Sequence, residues 1–250
     1  MADSVSDIAG RARKLGLAGD FAAAHALIDQ AGRLAGDDPE AQALCAIERG
    51  RLRNSAGERE TARPLFGEAW QLARQAGAHV LAVDAAHMLA IVGTLDDAVE
   101  WTATAFAYIG EHPEAGTWRG PLLNNLGWSY FDAGRFIDAL ALFEKAVQLR
   151  GSAGEERELR IARYAVIRTL RALGRLEEAR RLAEETAAAA AADGAPAPYV
   201  LEELAECRAL LGDTDGARDS ARRALAVLEH DPAFVHGEPE RLARLRQLTR

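Results

Sequence analysis

The chain has 250 residues, with 49% hydrophobic content, a net charge of −8 and a pI near 5.4. That much apolar residue supports extensive burial, and the acidic balance argues against a general nucleic-acid binder. Only two lysines occur, Lys14 and Lys145, against 28 arginines, a usage associated with GC-rich bacterial genomes. The opening MADSVSD is acidic and lacks the apolar core of a signal peptide, and the longest apolar run, Ala187 to Ala192, is far too short to span a bilayer. The two cysteines, Cys45 and Cys207, lie far apart and read as reduced, buried residues of a cytoplasmic protein.

Along the chain a glycine is followed five residues later by an alanine six times: Gly19/Ala24, Gly57/Ala62, Gly93/Ala98, Gly134/Ala139, Gly174/Ala179 and Gly212/Ala217. Seven residues beyond each alanine stands another small residue: Ala31, Ala69, Ala105, Ala146, Thr186 and Ala224. The glycines are 38, 36, 41, 40 and 38 residues apart. A period of this length denotes a stack of helix-turn-helix units. The glycine permits the positive φ that closes the first helix, and the alanines let the second approach closely.

The expected units run over 5–35, 41–76, 78–110, 117–150, 157–192 and 197–229, within one solenoid domain, with an Arg-rich cap over 238–250. Turn chemistry separates them: GDDPE near Asp37, the stretch from Glu111 to Pro121, GSAGEE from Gly151, DGAPAP from Asp193 and DPAFVHGEP from Asp231. Twelve repeat helices, the cap and no strands are predicted. The first unit is the weakest, because its opening helix is short and poor in large apolar residues.

In the fourth unit, Leu123, Leu126, Gly127 and Tyr130 fall on one face of the first helix, and Phe136, Ala139, Phe143 and Ala146 on one face of the second. These residues resemble the tetratricopeptide repeat. The other five units carry the glycine, the alanines and part of the apolar set, so the resemblance covers roughly residues 8 to 229. The period exceeds the usual 34 residues and is similar to that of kinesin light chain repeats. The resemblance implies an all-α, right-handed α-solenoid whose first helices line a concave groove.

On each first helix, the positions nine and six before the turn glycine point away from the core. They give Gly10/Arg13, Glu48/Arg51, Asp84/His87, Asn125/Trp128, Ala165/Arg168 and Glu203/Glu206. Adjacent positions add Asn54, Asn124, Asp132, Tyr164, Arg171 and Glu202. The expected ligand-binding set is Glu48, Arg51, Asp84, His87, Asn124, Asn125, Trp128, Asp132, Tyr164, Arg168, Arg171 and Glu203. Asparagine amides suit a peptide backbone, arginine suits a carboxylate, and Trp128 suits an apolar anchor. The segment from Leu123 to Leu126 resembles the LNNLA segment of kinesin light chain, where the asparagine bonds a bound peptide. No other unit repeats that asparagine.

Several of these residues have a second reading. Asp84 and His87 also suit a bond to each other or to a neighbouring arginine. Trp128 also suits packing between units, and Arg168 and Arg171 also suit salt bridges to Asp132 and Glu203. His25, His79, His112, His230 and His236 read as solvated, and Trp70, Trp101 and Trp118 as packing or loop anchors.

No P-loop, HExxH, CxxC or GxSxG occurs. The favoured function is a non-catalytic scaffold that binds a peptide or protein segment, without a cofactor, nucleic acid or membrane. One alternative is an atypical enzyme holding a divalent transition metal on Glu48, Asp84 and His87. A structural oligomerisation module is another.

Overall fold

A computed structural model describes residues 3–250, so Met1 and Ala2 of the acidic start lie outside the described residues. The described residues form helices and no strand. Six antiparallel pairs account for most of them. They are α1 (Val5–Leu17) with α2 (Phe21–Ala35), α3 (Pro39–Ser55) with α4 (Arg59–Ala76), and α5 (His79–Val92) with α6 (Leu95–Glu111). Then come α7 (Arg119–Asp132) with α8 (Phe136–Ala153), α9 (Glu156–Ala172) with α10 (Leu176–Ala192), and α11 (Pro198–Leu210) with α12 (Thr214–Leu228). Two stretches read from sequence as plain breaks contain helical turns. Pro113–Trp118 is a 3-10 segment, and α13 (Pro232–Gly237) precedes the cap helix α14 (Pro239–Leu248).

Local chemistry sets the helix starts. Ser4 with Asp7 and Thr94 with Asp97 form reciprocal capping boxes on α1 and α6. Asp20, Asp38 and Asp213 accept backbone N–H bonds at the starts of α2, α3 and α12. Five of the six turn glycines have the expected positive φ. Gly93 does not. Its backbone is extended, with φ −86° and ψ −174°, and a Cβ there would lie 2.4 Å from Asp97 Cβ. Close approach to the following capping box, not backbone handedness, requires glycine at that position.

The small-residue pattern is the packing code. Ala24, Ala62, Ala98, Ala139, Ala179 and Ala217 are all buried, as are the six small residues seven positions on. Thr186 is accommodated because its hydroxyl donates to Leu182 O at 2.7 Å. In two pairs a glycine on the first helix receives a phenyl ring from the second. A Cβ on Gly50 would meet Phe66 at 2.5 Å, and one on Gly127 would meet Phe143 at 2.4 Å. Both rings are fully buried.

The chain divides into two compact units, residues 1–126 and 127–250. In the first, α1 touches α3 and α3 touches α5; in the second, α9 touches α11. The core of the first unit is centred on Ile47, Phe66, Trp70, Val83 and Ile109, with smaller clusters around Ile28 and Ile8. That of the second unites Phe143, Ile167, Leu204, Leu228, Phe234 and Leu245. Cys45 and Cys207 are free and buried, and burial pushes the Cys207 thiol up to about 12.

Candidate functional site

The outward positions of the first helices form a different arrangement in each unit. In residues 1–126 they bond to one another. Arg13 on α1 grips Glu48 on α3 through two bonds of 3.1 and 2.6 Å. Arg51 donates to Glu48 Oε1 at 2.7 Å and to Asp84 Oδ1 on α5 at 2.5 Å. Asn125 Nδ2 donates to His87 Nε2, and Asn124 Nδ2 donates to Asn125 Oδ1 at 3.2 Å. Glu48, Asp84 and His87 are all buried. Burial pushes Glu48 up to about 7, against the pull of Arg13, and Asp84 up to about 6. Burial lowers His87. His87 Nδ1 is buried without a hydrogen-bond partner, beside the Trp118 ring, whose centroid lies 4.9 Å from that of His87.

This network answers one open reading: Asp84 pairs with an arginine of the neighbouring repeat. Glu48, Asp84 and His87 do not bring one ligand atom each within 4.8 Å of one another, because Arg51 stands between the two carboxylates. The group among the described residues that meets that criterion is His79, His112 and Glu114. His79 and His112 are half-buried and stacked, not solvated.

In residues 127–250 a row of aromatic rings interleaved with arginines runs from α7 to α13. Trp128, Tyr164, Tyr199 and Phe234 recur at intervals of 36, 35 and 35 residues. Their ring centroids lie 6.2, 5.9 and 5.8 Å apart in succession. Trp128 also packs on Phe143 at 5.0 Å, so it serves the core as well as the face. Arg168 lies 5.9 Å from the Trp128 centroid and donates to Tyr164 Oη at 2.8 Å. Arg171 Nε donates to the buried Glu203 at 2.6 Å. Of the residues singled out in the sequence, Asp132 stands exposed at the end of α7.

The cap helix completes this face. Arg241 makes two 2.7 Å bonds to Glu202 and lies 5.3 Å from the Phe234 centroid, while Arg244 binds Glu206 at 3.0 Å. Beside the aromatic row is a hollow of about 510 Å³ lined by Ile161, Tyr164, Pro196, Pro198 and Tyr199, with Arg157 and Arg160 at its edge. Ile161 and Tyr199 are exposed. Tyr199, Phe234 and Arg241 were missed in the sequence. The one-repeat spacing of the four aromatics was the signal for Tyr199 and Phe234, while Arg241 stood in the sequence only as one arginine of the Arg-rich cap.

Residues 122–153, which span most of α7 and α8, match the family model of the tetratricopeptide repeat. That segment is a tetratricopeptide repeat, and the chain as a whole shares the fold of tetratricopeptide-repeat solenoids. Solved structures share its fold at low identity. BtubC (BKLC) from P. vanneervenii is 19% identical, with a TM-score of 0.67 over 82% of this chain and 87% of that one. A STAND protein with a tetratricopeptide-repeat sensor from Pyrococcus horikoshii is 14% identical, with a TM-score of 0.73 over 96% of this chain. This chain spans only 38% of that protein's length. NprR in complex with its cognate peptide NprX is 15% identical, with a TM-score of 0.61 over 98% of this chain and 72% of that one. Among curated proteins no sequence matches. No helix among the described residues is long and apolar enough to cross a membrane.

Proposed function

We propose that this chain is a non-catalytic interaction scaffold that takes an extended segment of a partner protein on the first-helix face of residues 127–250. The aromatic row from Trp128 to Phe234 carries the reading, because it is interleaved with arginines and adjoins the hollow at Ile161 and Tyr199. Tyr199 is exposed, Trp128 and Tyr164 are half-buried, and Phe234 supports the row from the core; such rings give apolar contact at little entropic cost, and arginines at the rim favour acidic side chains. The favoured segment therefore has an apolar or aromatic residue seated near Tyr199 and a carboxylate reaching Arg157. The NprR–NprX complex supports the reading as a peptide complex of the same fold. In residues 1–126 the carboxylates and arginines satisfy one another, so that face supports register between repeats more than capture of a ligand.

Selection of a displayed random-peptide library against the chain tests this. Enriched peptides should pair an apolar or aromatic residue with an acidic one, and should be lost on Ile161→Asp and Tyr199→Ala. Enrichment that ignores both substitutions, or none at all, contradicts the reading.

A further inference from the structure

The third helix pair brings three metal-ligating side chains together at one end. Because α5 and α6 are antiparallel, the first residue of one lies beside the last turn of the other. His79 opens α5, His112 follows the end of α6, and Glu114 comes two residues later in the 3-10 segment. The imidazoles of His79 and His112 stack with centroids 3.8 Å apart and planes 13° from parallel. One ligand atom from each of His79, His112 and Glu114 lies within 4.8 Å of the others.

The surroundings orient His79, while His112, whose ring lies nearly parallel to it, turns about its Cβ–Cγ bond to aim a ring nitrogen at the same point. The Tyr108 hydroxyl holds His79 Nδ1 at 2.8 Å, which leaves Nε2 for coordination. A hydrogen bond on the far ring nitrogen is the usual support of a metal-bound histidine, since it fixes ring and tautomer. Tyr108 is itself held by the edge of Trp70, with ring centroids 5.2 Å apart. His79 Nε2 lies 3.4 Å from Glu114 Oε1. Two ligands bound tetrahedrally at zinc distances stand about 3.3 Å apart, so this pair is already spaced as one edge of such a site. Beside the histidines a surface hollow of about 520 Å³ is bordered by Gln71, Arg74 and Glu111, giving solvent access to a fourth coordination position.

We propose that His79, His112 and Glu114 form a zinc site with three protein ligands and one exchangeable position. Two imidazoles and a carboxylate select a borderline transition metal over calcium or magnesium, which require oxygen-rich sets. The metal would clasp the start of α5 to the segment after α6. Its ligands all belong to residues 1–126, and none of them is a residue of the aromatic row.

Isothermal titration of the full chain with zinc chloride, in buffer free of chelators, tests the site. The expected result is one equivalent of zinc per chain, with affinity lowered at least ~10-fold by His112→Ala and by Glu114→Gln and unchanged by His230→Ala. Cobalt(II) added in place of zinc should give the intense visible absorption of a tetrahedral centre, and excess calcium should not displace it. Glu114 is exposed, so Glu114→Gln keeps the test valid should His112→Ala unfold. Absence of stoichiometric uptake, or affinity indifferent to both ligand substitutions, overturns the proposal.

Discussion

Arg241 of the cap helix holds Glu202 of α11 through two hydrogen bonds of 2.7 Å, and the carboxylate so held is buried. The fork-on-fork geometry satisfies both oxygens in one contact. The cap is thus fastened by charge at its exposed edge, while Leu242 and Leu245 enter the core. A terminal repeat that ended at α12 would leave Glu202 and Glu206 without these partners.

Removing the arginine alone should therefore cost more than removing the pair. Arg241→Met is expected to destabilise residues 127–250 by about 3 kcal/mol, because it strands a buried charge. Adding Glu202→Gln should recover a substantial part of that loss. Urea unfolding of the two single variants and the double variant gives the coupling directly. An additive double variant would mean that the pair contributes nothing beyond its separate side chains.

Gly127 and Phe143 form a second coupled pair. Gly127→Ala should cost about 1–3 kcal/mol, since its Cβ would lie 2.4 Å from the ring in a site without slack. Phe143→Leu alone should also destabilise, through lost burial. Together they should cost less than the sum of the two, because the smaller side chain vacates the space the methyl group needs. Thermal unfolding midpoints of the three variants decide this.

Glu48 predicts a dependence on pH. Its carboxyl is raised from an ordinary 4.5 to about 7 by burial. The folded chain thus keeps a proton that the unfolded chain has released between those values. The stabilisation from this group is full at the acid end and is lost as pH rises from about 4.5 to about 7. Glu48→Gln removes that titration. Between pH 5 and pH 7, wild type should therefore lose about 2 kcal/mol of stability relative to the variant. A gain over the same range would show that Arg13 and Arg51 outweigh the burial.

The repeat architecture was legible because it is written in local spacing: turn glycines, alanines five residues on, and small residues seven beyond those. Helical spacing also singled out Glu48, Arg51, Asp84, His87 and Arg168, of which Glu48, Asp84 and His87 are buried by their partners on neighbouring helices. It could not show that successive faces bond to each other, because the reach of Arg51 to Asp84 depends on the stagger between neighbouring helices. His79 and His112 were hidden for a related reason. Each looks like a loop residue alone, and only antiparallel pairing makes the start of one helix a neighbour of the end of the next. Gly93 shows the opposite case, in which the residue was read correctly but its cause is close packing against Asp97 rather than positive φ.

A partner segment on the aromatic face should pass within reach of Tyr199. A photo-crosslinking phenylalanine analogue placed at Tyr199, and separately at the exposed Arg222 on α12, tests it in living source cells. The account predicts a discrete protein adduct from position 199 on irradiation and none from position 222. Adducts from position 222 alone, or equally from both, would contradict it.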